Sequence, residues 1–182
     1  MTGRPDKQPN TIWVGTEPAA GADATTTYLV VVGVDEDLSL PLSSSEAMDY
    51  ARLFLTAAAA ADYDAAVFRQ LTEKVGVEKA DAARVIGLMK GKRPQQWAWG
   101  GVTVTPGVSA QIQGFVDVEV GGRTWQWDTP DAVEHARFVL EVAAGAEFDQ
   151  RYHEYLVTEM GMDPMTAREM VSDLPRFRRA AA

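Results

Sequence analysis

Apolar residues along this chain change their spacing in a fixed order. "TTTYLVVVGV" (residues 25–34) is a short, nearly continuous apolar run with β-branched residues, followed by an acidic turn at Asp35–Asp37 and then "LSLPL". That pattern predicts a β-hairpin. From Ser43 onward the spacing lengthens: Met48, Ala51, Leu55 and Ala58 recur at the period of a helix. Ser43 and Glu46 stand at capping-box spacing before it. Asp64 is expected to cap a second helix, with Tyr63 stapled against Phe68, and Gly76 to end it in the left-handed position. A third helix is expected to follow, with its stripe at Val77, Ala80, Val85, Ile86 and Met89.

The order then repeats. An offset of 85 aligns Ser44–Met89 with Thr129–Leu174 without a gap. The identical pairs include Arg52 with Arg137, Asp64 with Asp149, Leu71 with Leu156 and Gly76 with Gly161. Thr129 is read as a cap with Pro130 at the first helical position, and Val133, Ala136, Leu140 and Ala143 as the stripe. Asp149 is read as a cap stapled by Phe148 and His153, and Met162, Met165, Met170, Val171 and Leu174 as the third-helix stripe. The same offset sets "QIQGFVDVEV", Gly121–Gly122 and "RTWQW" beside the first hairpin, so that Trp125 and Trp127 match Leu40 and Leu42. The second copy has a further strand, "WAWGGVTVT", where the first has "TIWVG" and a loop, "TEPAAGADATTT".

Self-similarity at a fixed period outranks other local signals. The expectation is an α+β protein of two homologous modules arranged about a pseudo-twofold. Each module is a β-hairpin or three-strand meander followed by three helices. The modules span 11–94 and 95–178, between a flexible start (1–10) and a tail (179–182), and "GKRPQQ" marks their junction.

Composition narrows the function. Without cysteine there is no disulfide framework, thiolate metal site or cysteine nucleophile. The apolar runs are too short to span a bilayer, and "MTGRPDKQPN" is not a signal peptide, so a cytoplasmic protein without membrane attachment is expected. The net charge is −9. Residues 1–94 carry 10 Lys and Arg against 13 Asp and Glu; residues 95–182 carry 7, all arginine, against 13. Bulk electrostatics therefore repels nucleic acid, most strongly in the second half.

No phosphate loop, nucleophile elbow or two-histidine helix motif occurs, and no catalytic residue, cofactor or metal ligand is assigned. Asp149 and His153, with Glu134 or His135, have spacing that could suit a metal. The repeat speaks for packing instead: His135 stands at the place of Tyr50 and His153 at that of Phe68, where a flat ring is wanted. Trp97 with Trp99, and Trp125 with Trp127, alternate as strand residues sharing a face, either as core or as a binding surface.

"LTEKVGVEKADAARVIGLMKGKRP" (residues 71–94) resembles the helix-turn-helix of the Cro and Lac-repressor type in Leu71, Val75, Gly76, Val77, Arg84, Val85 and the following "GKRP". That resemblance implies a second helix in the major groove, with Lys79 and Arg84 facing DNA and Lys90, Lys92 and Arg93 on the backbone. The corresponding stretch of the second copy carries acids where DNA readers carry bases. In its Ala, Val, Asp and Arg bias the chain also resembles small uncharacterised proteins of high-GC bacteria and their phages.

The expected function is accordingly non-catalytic. A regulatory or adaptor protein, monomer or homodimer, binds another protein through the acidic second module at Glu154, Glu159, Met162, Met165 and Glu169. Methionines supply adaptable apolar contact there. An inhibitor of a host protein whose carboxylates imitate phosphate would fit the charge. The alternatives are a DNA-binding regulator using the first module's corner and an enzyme with an unrecognised site.

Overall fold

Among the described residues, seven strands form two antiparallel meanders. The computed structural model describes residues 12–20, 26–34 and 38–180. The first sheet, in order β1-β2-β3, joins β1 (Ile12–Ala20), β2 (Thr26–Val34) and β3 (Leu38–Leu42). The second, in order β4-β5-β6-β7, joins β4 (Trp97–Trp99), β5 (Val102–Val108), β6 (Gly114–Val120) and β7 (Arg123–Asp128). The stretch expected to be a loop after "TIWVG" is mostly strand: β1 continues to Ala20 and pairs along its whole length with β2. The expected turn at residues 35–37 and the start at 1–10 lie outside the described residues.

Period-two burial gives the second sheet one apolar face. Val102, Val104, Val116, Val118, Val120, Trp125 and Trp127 are buried, while Glu119, Thr124 and Gln126 on the other face are exposed. This places Trp125 and Trp127 in the core and leaves Trp97 and Trp99 half-buried. Gly121 and Gly122, both at positive φ (58° and 78°), make the two-residue turn whose twist suits a hairpin. The register differs by one residue from the offset of 85. Val30 faces Leu42 in the first sheet, whereas Val116, 86 residues on, faces Trp127 in the second. Two residues separate the paired ends Val120 and Arg123, against three between Val34 and Leu38, so β6 shifts by one and its valines still point inward. A slip without that shift would turn every side chain to the opposite face.

The helices are fewer and longer than expected. Helix α1 (Ser44–Arg69) continues without a break through a π-helical segment, Gln70–Val75, to Gly76. Helix α3 (Thr129–Thr158) likewise runs through Asp149. Neither Asp64 nor Asp149 is a cap, therefore; both are buried mid-helix. With no helix starting at Asp149, Phe148 is not a staple residue, and its ring stacks one turn on, against Tyr152. The capping box at the start of α1 does form. The Ser43 N–H donates to Glu46 Oε2 (2.8 Å) and the Glu46 N–H to Ser43 Oγ (3.3 Å), which holds the Glu46 carboxyl below its usual range. Thr129 bonds elsewhere, its hydroxyl donating to Asp62 Oδ1 (2.7 Å).

After Gly76 comes α2 (Lys79–Lys90), and after Gly161 comes α4 (Pro164–Ala180), which passes the boundary expected at 178. Both glycines adopt left-handed φ (78° and 63°), and the N–H of the residue after each closes back: Val77 to Leu71 O (2.9 Å) and Met162 to Leu156 O (3.0 Å).

The buried faces are offset from the expected stripes. In α1 they include Ala47, Tyr50, Phe54, Ala57 and Ala61 beside the expected Ala51 and Ala58; in α3, Ala132, Val139 and Ala146 beside the expected Ala136 and Ala143. Val133 is exposed, and Met48, Leu55 and Leu140 are half-buried. In α2 and α4 only Ala82 with Ile86, and Ala167 with Val171, are buried among the side chains described, so Ala80, Val85, Met165 and Met170 face outward.

Contacts divide the described chain into two compact units. One, Asp49–Phe138, holds most of α1, the π segment, α2, the four-stranded sheet and the first turns of α3. The other combines residues 12–48 with 139–180, which supply the three-stranded sheet, the rest of α3 and α4. Each unit thus takes its sheet from one half of the sequence and most of its helical residues from the other. In the first, Arg69 reaches the carbonyl of Ile112 (3.2 Å) as Thr129 reaches Asp62. In the second, the Tyr28 N–H donates to Gln150 Oε1 (3.2 Å), and its ring meets His153 edge-on at 6.1 Å. The units are therefore drawn differently from the sequence modules 11–94 and 95–178.

Candidate functional site

The corner between α3 and α4 is the most exposed apolar feature of the second unit. Three local devices hold it. The Gly161 closure described above turns the chain. Asp163 then caps α4, its Oδ2 accepting from the N–H groups of Met165 and Thr166 (both 3.1 Å). Finally, buried His153 donates through Nε2–H to the carbonyl of Pro164 (3.2 Å), tying the first residue of α4 back to α3. Pro164 O can only accept, so the proton sits on Nε2. His153 thus anchors the corner, and no group of His, Asp and Glu with metal-binding geometry occurs among the described residues.

On this held corner Met160 is 61% and Met165 69% exposed, and Met170 also faces outward. The acids Glu154, Glu159 and Glu169 are exposed around them, while Met162 is half-buried. Met165 and Glu169 are one turn apart, on the side of α4 away from the buried Ala167–Val171 stripe. Two exposed aromatics of α3, Phe148 and Tyr155, add to the apolar surface of this unit. Sequence spacing placed Phe148 in a staple and so hid it, because an aromatic before Asp reads as a helix start.

The corresponding corner of the first unit is built differently. Glu78 supplies no side-chain cap to α2. Lys79 and Lys92 are exposed, and Arg84 is paired with Asp81 on its own helix (3.1 Å). Lys90 and Arg93 turn inward to Asp64: Lys90 Nζ lies 3.6 Å from Oδ2, and Arg93 donates to the same oxygen. The Asp64 side chain is completely buried, and these two cations supply its counter-charge. Phosphate would have to compete with that carboxylate for both residues. Exposed Val75, Val85 and Leu88 give this corner an apolar outer surface.

The remaining candidates from the repeat fall into the cores. His135 packs edge-on against Tyr50, Phe54 and Trp127 at ring distances of 5.0–5.7 Å. Burial depresses its pKa to about 4, leaving the ring neutral at physiological pH. Asp149 lies within the field of Tyr28, whose hydroxyl is pushed up to about 12 chiefly by burial and then by that carboxylate.

No family model, no curated protein and no solved structure matches the chain. No helix among the described residues is long and apolar enough to cross a membrane.

Proposed function

We propose that the protein is a non-catalytic cytoplasmic adaptor or regulator, built from a tandem duplication, that binds another protein through the α3–α4 corner. The observation that carries this reading is the exposure of Met160, Met165 and Met170 among Glu154, Glu159 and Glu169, on a corner fixed by Gly161, Asp163 and His153. Polarizable, unbranched side chains on a rigid support adapt to a partner at little entropic cost to the backbone. The acidic surround favours a basic partner and speeds its approach.

Support for the duplication is positional. Helix starts at Ser44 and Thr129, left-handed turns at Gly76 and Gly161, and second starts at Lys79 and Pro164 all stand 85 apart. Tyr50 and His135, also 85 apart, hydrogen-bond to each other (3.0 Å), as equivalent residues do across an isologous contact.

The test is capture of a cytosolic partner by the immobilised full-length chain, compared with Met165→Glu and with the double charge reversal Glu154→Lys/Glu159→Lys. The reading expects a retained partner that both variants lose. Retention unchanged by both would overturn it. Salt-sensitive binding of random duplex DNA, weakened by Lys79→Ala and Lys92→Ala, would favour the helix-turn-helix reading instead.

A further inference from the structure

The first unit contains a cleft of about 380 Å³ between α1, the β5–β6 connection and the start of α3, lined by Asp62, Arg69, Gln113, Asp128 and Thr129 over a floor that includes Ala65 and Ala66. We propose that it binds a small organic cation, an amine or guanidinium on a short aliphatic stem.

The cleft is open because of particular small residues. At the positions 85 further on, Ala65 and Ala66 are replaced by Gln150 and Arg151, and the strand residue matching Gly114 is Tyr28. In the second unit those larger groups are engaged with one another and their neighbours. Gln150 accepts from the Tyr28 N–H, and Arg151 pairs with Glu147, the counterpart of Asp62. In the first unit no arginine follows Asp62 one turn on, so no ion pair of the Glu147–Arg151 kind forms on its own helix.

Asp62 is aimed by its surroundings. Its Oδ1 accepts from the buried Thr129 hydroxyl, which leaves Oδ2 without a hydrogen bond among the described residues. The Asp128 carboxylate and the Gln113 side-chain amide also lack protein partners among the described residues and line the same space. Arg69, the basic residue among those lining the cleft, directs one Nη toward the carbonyl of Ile112 and keeps its positive charge. The lining carries two carboxylates against one guanidinium, a net negative charge; the carboxylates and an amide oxygen accept hydrogen bonds from a cation, and the alanine floor accepts its methylenes. The volume falls at the small end of the range for ligand pockets, and the chain's net charge of −9 draws cations toward it.

The probes are agmatine and putrescine, titrated calorimetrically into the full-length chain against sodium chloride of matched ionic strength. Saturable binding is expected, weakened about tenfold or more by Asp62→Asn or Asp128→Asn, since each removes a charged acceptor. Ala66→Arg, which copies the second unit and fills the cleft, should abolish binding while circular dichroism stays native. Should that variant fail to fold, Asp128→Asn at the exposed end of β7 decides. The proposal is overturned by no saturable binding of either amine at millimolar concentration, by affinity indifferent to the variants, or by preferential binding of glutamate.

Discussion

Tyr50 Oη and His135 Nε2 share a hydrogen bond of 3.0 Å inside an aromatic cluster completed by Phe54 and Trp127. A ring that could titrate near neutrality is thus held neutral in the core, and the fold carries the consequence.

His135 makes the protein acid-labile over a defined window. Its pKa is about 4 in the folded chain against 6.5 when exposed, so between those values the unfolded state binds the proton that the folded state refuses. The stability held above pH 6.5 should fall as pH drops toward 4. The loss from this group approaches roughly 3 kcal/mol. Urea denaturation at neutral pH and near pH 4.5 measures it; His135→Phe should flatten that part of the profile, and an unchanged slope would refute the assignment.

Asp64 should behave as the keystone of a buried ion cluster. Asp64→Ala leaves Arg93 and Lys90, both largely buried, without their counter-charge, and costs about 3–5 kcal/mol. Replacing Arg93 as well, as Asp64→Leu/Arg93→Met, should recover part of that loss, because the charge left without its partner is then only Lys90, whose partly exposed ammonium can turn to water. A double-mutant cycle by chemical denaturation checks the coupling, and additive losses would contradict it.

Fragments 1–94 and 95–182 should each fail to fold alone and should fold when mixed. Each compact unit needs a sheet from one fragment and most of its helices from the other. Circular dichroism and size exclusion of the separate and combined fragments test this directly. Two independently folded fragments would show that the modules pack within themselves.

Gly114→Ala should destabilise the first unit by about 1–3 kcal/mol through overpacking. A Cβ there would sit 2.7 Å from Asp62 Oδ1 and 3.0 Å from backbone atoms of Ala61 and Asp62, so more than a flexible side chain must move. Thermal denaturation reads the effect; a neutral substitution would mean that the approach of β6 to α1 is looser than these distances.

Much of the local structure was readable from residues close together in the chain. Ser43 with Glu46, Gly76, Gly161 and Gly121–Gly122 each act within a few positions, and all appear where their chemistry places them. Other features resisted for equally physical reasons. An aromatic–Asp pair entering a helix looks the same as one inside a helix, and what separates them is Arg93, 29 residues from Asp64. The alanines from 57 to 61 fit any helical phase, so the sequence pattern could not say which of them is buried.

The site divides in the same way. Met165, Glu154, Glu159 and Glu169 could be singled out because they distinguish one copy from the other, and their exposure is compatible with that choice. The Asp62 cleft could not. It arises from what is missing at Ala65 and Ala66, beside the close approach of β6 to α1 at Gly114, on segments brought together only by folding.

What the sequence determined by itself is the α+β class and the turns at Gly76, Gly121–Gly122 and Gly161, because caps and turns are satisfied by neighbours. Which sheet each helix covers, which face of an alanine-rich helix is buried, and where the cleft opens were decided by tertiary structure. Those depend on which distant groups can share an interior without leaving a charge or a polar atom unanswered.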